Sequence, residues 1–250
     1  MKVLEYVLGV ASVVLNDNDS VAEDTPSQFL EPGNVTANYS DDYSYYVFRL
    51  QVPGSYCQTS YCSHDIEEKL QPNGFKIHGI WPSSTGGNSP SQCRDDKFYE
   101  DDINSKTLSA MNTDWPSDRG SNDSFWSHEW STHGVCAKDV PGYDSGYLSV
   151  DEFFTFVIDQ YNKFNPTKVF SDANIKPSND YYYNLEEIND AFKNAYGVVP
   201  ANTCDYQDGK AWLMHISLCL DLDLKPMYCP DAQSSCRDSD KIYYGSLSDQ

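Results

Sequence analysis

Three histidines carry the candidate chemistry of this 250-residue chain. His128 and His133 lie in the run Phe125-Trp126-Ser127-His128-Glu129-Trp130-Ser131-Thr132-His133-Gly134-Val135-Cys136, with one carboxylate, Glu129, and a tryptophan between them. His78 lies upstream in Phe75-Lys76-Ile77-His78-Gly79-Ile80-Trp81-Pro82, with Trp81 three residues on. Two imidazoles in unlike surroundings can serve as base and acid in one displacement, with no serine or cysteine nucleophile. RNA suits such a pair. Its 2′-hydroxyl attacks the adjacent phosphorus once deprotonated, and its 5′-oxygen leaves once protonated. A neighbouring carboxylate such as Glu129 orients a histidine and raises its pKa. Nearby tryptophan and phenylalanine offer faces on which a splayed base stacks. The two downstream histidines are five residues apart and do not share a helical face as the zinc-protease spacing of four does. No metal and no other cofactor is expected, and a metal hydrolase is the weakest functional reading.

The elements that must hold these groups follow from periodicity. Tyr45 to Val52 is an aromatic and β-branched strand that Pro53-Gly54 ends. Phe75 to Ile80 is a short strand whose alternation sends Lys76, His78 and Ile80 one way and Phe75 and Ile77 the other. A Ser/Gly/Asn/Pro-rich loop follows over residues 83–91. Asp95 to Met111 reads as a helix closed by Trp115-Pro116. Phe125 to Ala137 reads as another, on which Glu129 and His133 share a face and Trp126 and Trp130 go to the core. Ser149 to Glu152 forms a capping box for a helix through Phe153, Phe156, Val157 and Tyr161. Asn184 caps a further helix that Gly197 stops. Ala211 to Leu222 alternates strictly, so Trp212, Met214, Ile216, Leu218, Leu220 and Leu222 form a core face. His215 stands on its other face as a structural residue, and His64 belongs to a surface loop. Strands and helices mix without a βαβ rhythm, which gives an α+β class.

Composition bounds the rest. The net charge of -21, from 38 acidic and 17 basic side chains, excludes tight non-specific nucleic-acid binding. It leaves room for an enzyme that handles one phosphate at a time. Eight cysteines without a Cys-x-x-Cys pair point to disulfides and an oxidising compartment, and spacing alone does not fix the pairing. Residues 1–15 read as a signal peptide, too short to anchor in a bilayer, and no other stretch could span one. Residues 16–42 read as an acidic, flexible lead-in, residues 43–240 as one domain, and residues 241–250 as a polar tail. Asn18, Asn34, Asn38 and Asn122 each open a glycosylation sequon.

The two histidine segments resemble the active-site motifs of the ribonuclease T2 family, Phe-x-x-His-Gly-Leu-Trp-Pro and Phe-Trp-x-His-Glu-Trp-x-Lys-His-Gly-x-Cys. Gln51 to Cys57 is similar to the family's Gln-Trp-Pro-Gly-Ser-Tyr-Cys. The resemblance implies an antiparallel sheet packed with helices. It also implies endonucleolytic cleavage of single-stranded RNA, but not DNA, to a 2′,3′-cyclic phosphate and then a 3′-phosphate. His133 would take the 2′-proton, His78 would protonate the leaving oxygen, and Glu129 would support the site. His128 would bind phosphate, and Trp81 and Phe125 would sandwich a base. The cysteines would pair Cys57 with Cys62, Cys93 with Cys136, Cys204 with Cys236, and Cys219 with Cys229. The protein would be a secreted or lysosomal-vacuolar monomer. Two positions depart from the pattern: Val52 replaces tryptophan, and Thr132 replaces the lysine that holds charge in the pentacoordinate transition state. Loss of such a donor costs on the order of 100- to 1,000-fold in rate. Two consequences are open. Either Lys76 supplies the charge from the other segment, or the protein is a weakened family member that binds RNA or a protein.

Overall fold

Strand β1 (Tyr45–Gln51) shows how the sheet acquires two unlike faces. Tyr46, Phe48 and Leu50 are at most 1% exposed, while the alternate residues Val47 and Arg49 are only half-buried. The structure is a computed structural model, and it describes residues 42–86, 89–231 and 234–247. The expected signal peptide, the expected lead-in before Asp42 and the sequons at Asn18, Asn34 and Asn38 lie outside those residues.

Strand β2 (Lys76–Ser83) runs antiparallel to β1 on one side, and β4 (Lys210–Leu220) does so on the other. Strand β3 (Ala201–Gln207) completes the sheet order β2-β1-β4-β3. Two short strands also pair with β4: β5 (Pro226–Met227) antiparallel, and β6 (Ile242–Tyr243) parallel. Residues 242–247 are therefore part of the fold rather than a polar tail. Tyr244 and Leu247 are 1% and 2% exposed, and Gly245 N–H donates to Ser55 Oγ.

Both long strands carry a bulge. Arg49 pairs with Gly79 and Leu50 with Ile77, so His78 is the extra residue of β2. Thr203 pairs with His215 and Cys204 with Leu213, so Met214 is the extra residue of β4. A bulge resets which face a strand presents, and it overturns two expectations. Ile80 turns into the core at 0% exposure and does not share a face with His78. Met214 leaves the core face, which passes to Leu213 and Ile216, and Leu222 lies beyond β4 at 46% exposure.

Helices cover the core face. Helix α1 (Pro53–Thr59) starts where a strand-ending turn was expected, because proline suits the first helical position. Helix α2 (His64–Leu70) carries His64, exposed, at its first position. Helix α3 spans only Ser105–Asp114, since Asn104 Oδ1 caps it by accepting from the Lys106 and Thr107 amides. The acidic stretch before it forms a single 3-10 turn, Glu100–Asp102. Helix α4 (Asn122–Thr132) begins three residues before Phe125, where Ser121 caps it. The capping boxes at Ser149 and Asn184 open α5 (Val150–Phe164) and α7 (Leu185–Tyr196), and Gly197 ends the latter in the left-handed region, at φ 77°. Between them lies α6 (Pro166–Asp172). Helix α5 contributes Phe153, Phe154 and Phe156 to the core, each at most 1% exposed. Four disulfides pair as the resemblance implied: Cys57–Cys62, Cys93–Cys136, Cys204–Cys236 and Cys219–Cys229.

Candidate active site

Helix α4 has one fully committed face. Trp126 and Trp130 point inward, and their indoles donate to the carbonyls of Trp115 and Asp96 at 2.8 and 3.0 Å. Glu129, between them in sequence, is 1% exposed. After Thr132 the chain leaves helical geometry at His133 (φ -121°, ψ -48°) and enters a 3-10 turn, Gly134–Cys136. The expected helix thus breaks at His133, which is a helix terminus and not on a helix face. Glycine is required next: a Cβ on Gly134 would lie 2.5 Å from Trp130 and 2.9 Å from Phe153. The Cys93–Cys136 bridge then fixes this end of the segment.

Strand β2 brings His78 and Trp81 to meet it. The bulge leaves the His78 carbonyl free of the β1 ladder, and Trp115 Nε1 donates to it at 2.9 Å. Gly79 supplies the gap that Glu129 fills. A Cβ there would lie 2.2 Å from Glu129 Oε2 and 2.7 Å from Trp81 Nε1. Trp81 Nε1 donates to Glu129 Oε2 at 2.9 Å.

The Trp81 ring packs against both histidines, 5.4 Å from the His78 ring and 5.1 Å from that of His133. His78 also meets Phe125 edge-on at 5.6 Å, and its Nε2 lies 3.8 Å from Glu129 Oε1. His78 Nδ1 is buried with no hydrogen-bond partner among the described residues. His128 is exposed on α4, 6.4 Å from the His133 ring, with Thr132 Oγ1 at 3.4 Å from its Nδ1. Beside them opens a cleft of about 530 Å³ whose lining includes Gln51, Tyr56, His78, Phe125, His128 and His215. Asn122, the described sequon, has its amide in the fold: Oδ1 accepts from Ser117 N–H, and Nδ2 donates to Asn112 Oδ1.

Burial sets the protonation states. It pushes His78 down to about 4, with the Arg49 charge adding to it, and His133 down to about 4, with His128 adding. It raises Glu129 to about 8, against the opposing hydrogen bond from Trp81. The expectation that Glu129 raises a histidine is overturned, because the carboxyl is itself protonated near neutrality. The His78–Glu129 approach is then a contact between uncharged groups, not an ion pair. Lys76 does not reach the site either. It is 2% exposed, and its Nζ donates to the carbonyls of Thr113 at 2.8 Å and Gln71 at 3.4 Å.

Two neighbours of His78 escaped the sequence reading. His215, expected to be structural, lies 5.5 Å from the His78 ring, and Arg49 Nη2 lies 3.3 Å from His215 Nδ1. The available signal was an arginine in the middle of an otherwise uncharged strand.

The family model described as "Ribonuclease T2 family" matches residues 43–236. The chain belongs to this family. Among its T2 relatives is the extracellular ribonuclease LE of Solanum lycopersicum, 33% identical over 189 residues, which are 74% of this chain and 79% of that protein. Ribonuclease DdI of Dictyostelium discoideum is 33% identical over 203 residues, 80% of this chain and 85% of that one. The solved structure of human RNase T2 superposes with a TM-score of 0.68 at 25% identity, covering 82% of this chain and all of the other. The T2 fold accounts for the antiparallel sheet, the helices against it and the four bridges. Within it, this T2 chain keeps His78, Glu129 and His133 in the motif order and carries Thr132 where the motif has lysine.

Proposed function

We propose that this protein is an endoribonuclease that cleaves single-stranded RNA through its 2′-hydroxyl. His133 removes the 2′-proton as O2′ forms a bond to phosphorus. His78 delivers a proton to O5′ as the P–O5′ bond breaks, giving a 2′,3′-cyclic phosphate. The reverse proton roles then admit water and yield the 3′-phosphate. The observation that carries this reading is two half-buried histidines packed on one tryptophan, which is itself hydrogen-bonded to a buried carboxyl, in a chain of this family. The unpartnered His78 Nδ1 supports it, because a buried polar atom without a partner is a mark of functional sites. His128 binds phosphate at the cleft, and Trp81 and Phe125 hold a base. Four disulfides support an oxidising compartment. Export fits the relative named extracellular, although another tomato relative is named intracellular.

The test is single-stranded RNA and a DNA strand of the same sequence, each incubated with wild type, His78→Ala and His133→Ala. Wild type should cut RNA alone and release cyclic phosphate ends. Each variant should lose the activity with its circular dichroism unchanged. Full cleavage by either variant would sink the assignment. RNA binding by wild type without cleavage would favour the weakened-binder reading that Thr132 raises.

A further inference from the structure

Arg49 is the site residue that the motifs do not explain. It sits mid-strand on β1, opposite Gly79 of β2 and Ser217 of β4. Its guanidinium carbon lies 5.7 Å over the Trp81 ring, and its Nη2 lies 3.3 Å from His215 Nδ1. His78 packs against the same two rings, Trp81 at 5.4 Å and His215 at 5.5 Å. Cation and candidate acid therefore share both neighbours. No carboxylate pairs with Arg49 among the described residues, and its Nε is buried without a partner. A guanidinium withdrawn from water without a counter-ion is costly, and it is favourable where an anion comes to meet it.

We propose that Arg49, braced by His215, supplies from the sheet the positive charge that the family motif places at position 132. This rests on the endoribonuclease reading. As the pentacoordinate phosphorane gathers charge on its equatorial oxygens, a fixed cation beside His78 stabilises that state more than the ground state. Arg49 has no acceptor atoms, so in this contact the nitrogen of His215 accepts, and the neutral ring carries its proton on Nε2. Arg49 thus acts by its charge on the phosphorane and on the proton that His78 carries. The other groups bearing on His78 are His215 from β4, Glu129 and His128 from α4, His133 after it and Arg119 before it.

The experiment compares wild type, Arg49→Gln, Arg49→Lys, Thr132→Lys and the double variant Arg49→Gln with Thr132→Lys, with His78→Ala alongside, on single-stranded RNA from pH 4 to 8. Arg49→Gln should lose about 100-fold in kcat with a far smaller change in KM. Its His78-dependent limb should move to higher pH, because a neighbouring cation is gone. Arg49→Lys should retain most of kcat. Thr132→Lys should rescue Arg49→Gln by about 10-fold or more and add little to wild type. Wild-type kcat and an unmoved limb in Arg49→Gln, beside an inactive His78→Ala, would overturn the inference and leave the function standing. An active His78→Ala would overturn the function itself. If Arg49→Gln fails to fold, Thr132→Lys in the wild-type background decides. A gain of about 10-fold or more shows that no cation was in place and refutes the inference, whereas a small gain supports it.

Discussion

Trp81 Nε1 donates to Glu129 Oε2 across 2.9 Å, and both side chains occupy space that exists only because residue 79 has no side chain. The two histidine segments, some fifty residues apart in the chain, are joined here by a hydrogen bond and an absence of atoms. The carboxyl is buried, and among the described residues Trp81 is its one side-chain donor, so its place depends on that indole.

Gly79→Ala is therefore expected to damage the site more than the addition of one methyl implies. The new Cβ would sit 2.2 Å from Glu129 Oε2 and must push the carboxyl off Trp81. Overpacking of this kind costs about 1–3 kcal/mol. Thermal unfolding should show the loss, and kcat should fall at least about 10-fold with the displaced Glu129. Unchanged values for both would mean that Glu129 has another place to go.

The rate of RNA cleavage should decline from pH 5 to pH 8. Burial holds His78 and His133 near 4 in the free site, so the protonated partner becomes scarce as pH rises. A bound phosphate restores some of that proton affinity by its negative charge, which moves the optimum above 4 without removing the decline. A kcat/KM profile rising steadily over that range would contradict the assignment of a protonated histidine.

Glu129 makes a separate statement about stability. Its folded pKa, about 8, lies above its ordinary value of 4.5. The folded protein thus binds a proton that the unfolded chain releases, and stability is lost as pH rises from about 4.5 through 8. Glu129→Gln keeps the shape and cannot ionise. Its melting temperature should match that of wild type near pH 5 and exceed it by on the order of 5 °C near pH 8. A constant difference between the two across this range would show that the carboxyl is already ionised at low pH.

Cys93→Ala with Cys136→Ala should weaken the fold by about 2–5 kcal/mol. Cys136 is fully buried and follows His133 by three residues. The loss should therefore appear in kcat below the melting point as well as in the melting curve. Full activity in the folded double variant would show that packing around Gly134 holds His133 without the bridge.

Local chemistry made much of this legible. Ser149 and Asn184 announce their helices because a capping box is contained within four residues. The motifs place His78, Glu129 and His133 because they carry the spacing with them. Bulges are not local. The one at His78 depends on how Arg49 and Leu50 pair across the sheet, and counting alternation within residues 75–80 cannot see it. The same blindness placed Lys76 near the chemistry, when its ammonium is held by the Thr113 carbonyl. It also left Arg49 and His215 unconnected, since they meet only through the pairing of β1 with β4. The polar look of residues 241–250 hid a short strand, β6, and the few apolar side chains, Ile242, Tyr244 and Leu247, that bind it to the core.

The segment over residues 242–247 closes the fold on its beginning. Gly245 N–H reaches Ser55 in α1, and Leu247 N–H reaches Asn73, partners 190 and 174 positions earlier in the chain. Helix α1 also supplies Tyr56 and Thr59 to the cleft. The cleft wall that α1 supplies therefore rests on a segment distant in sequence, and loosening residues 242–247 would loosen Tyr56 and Thr59 with them.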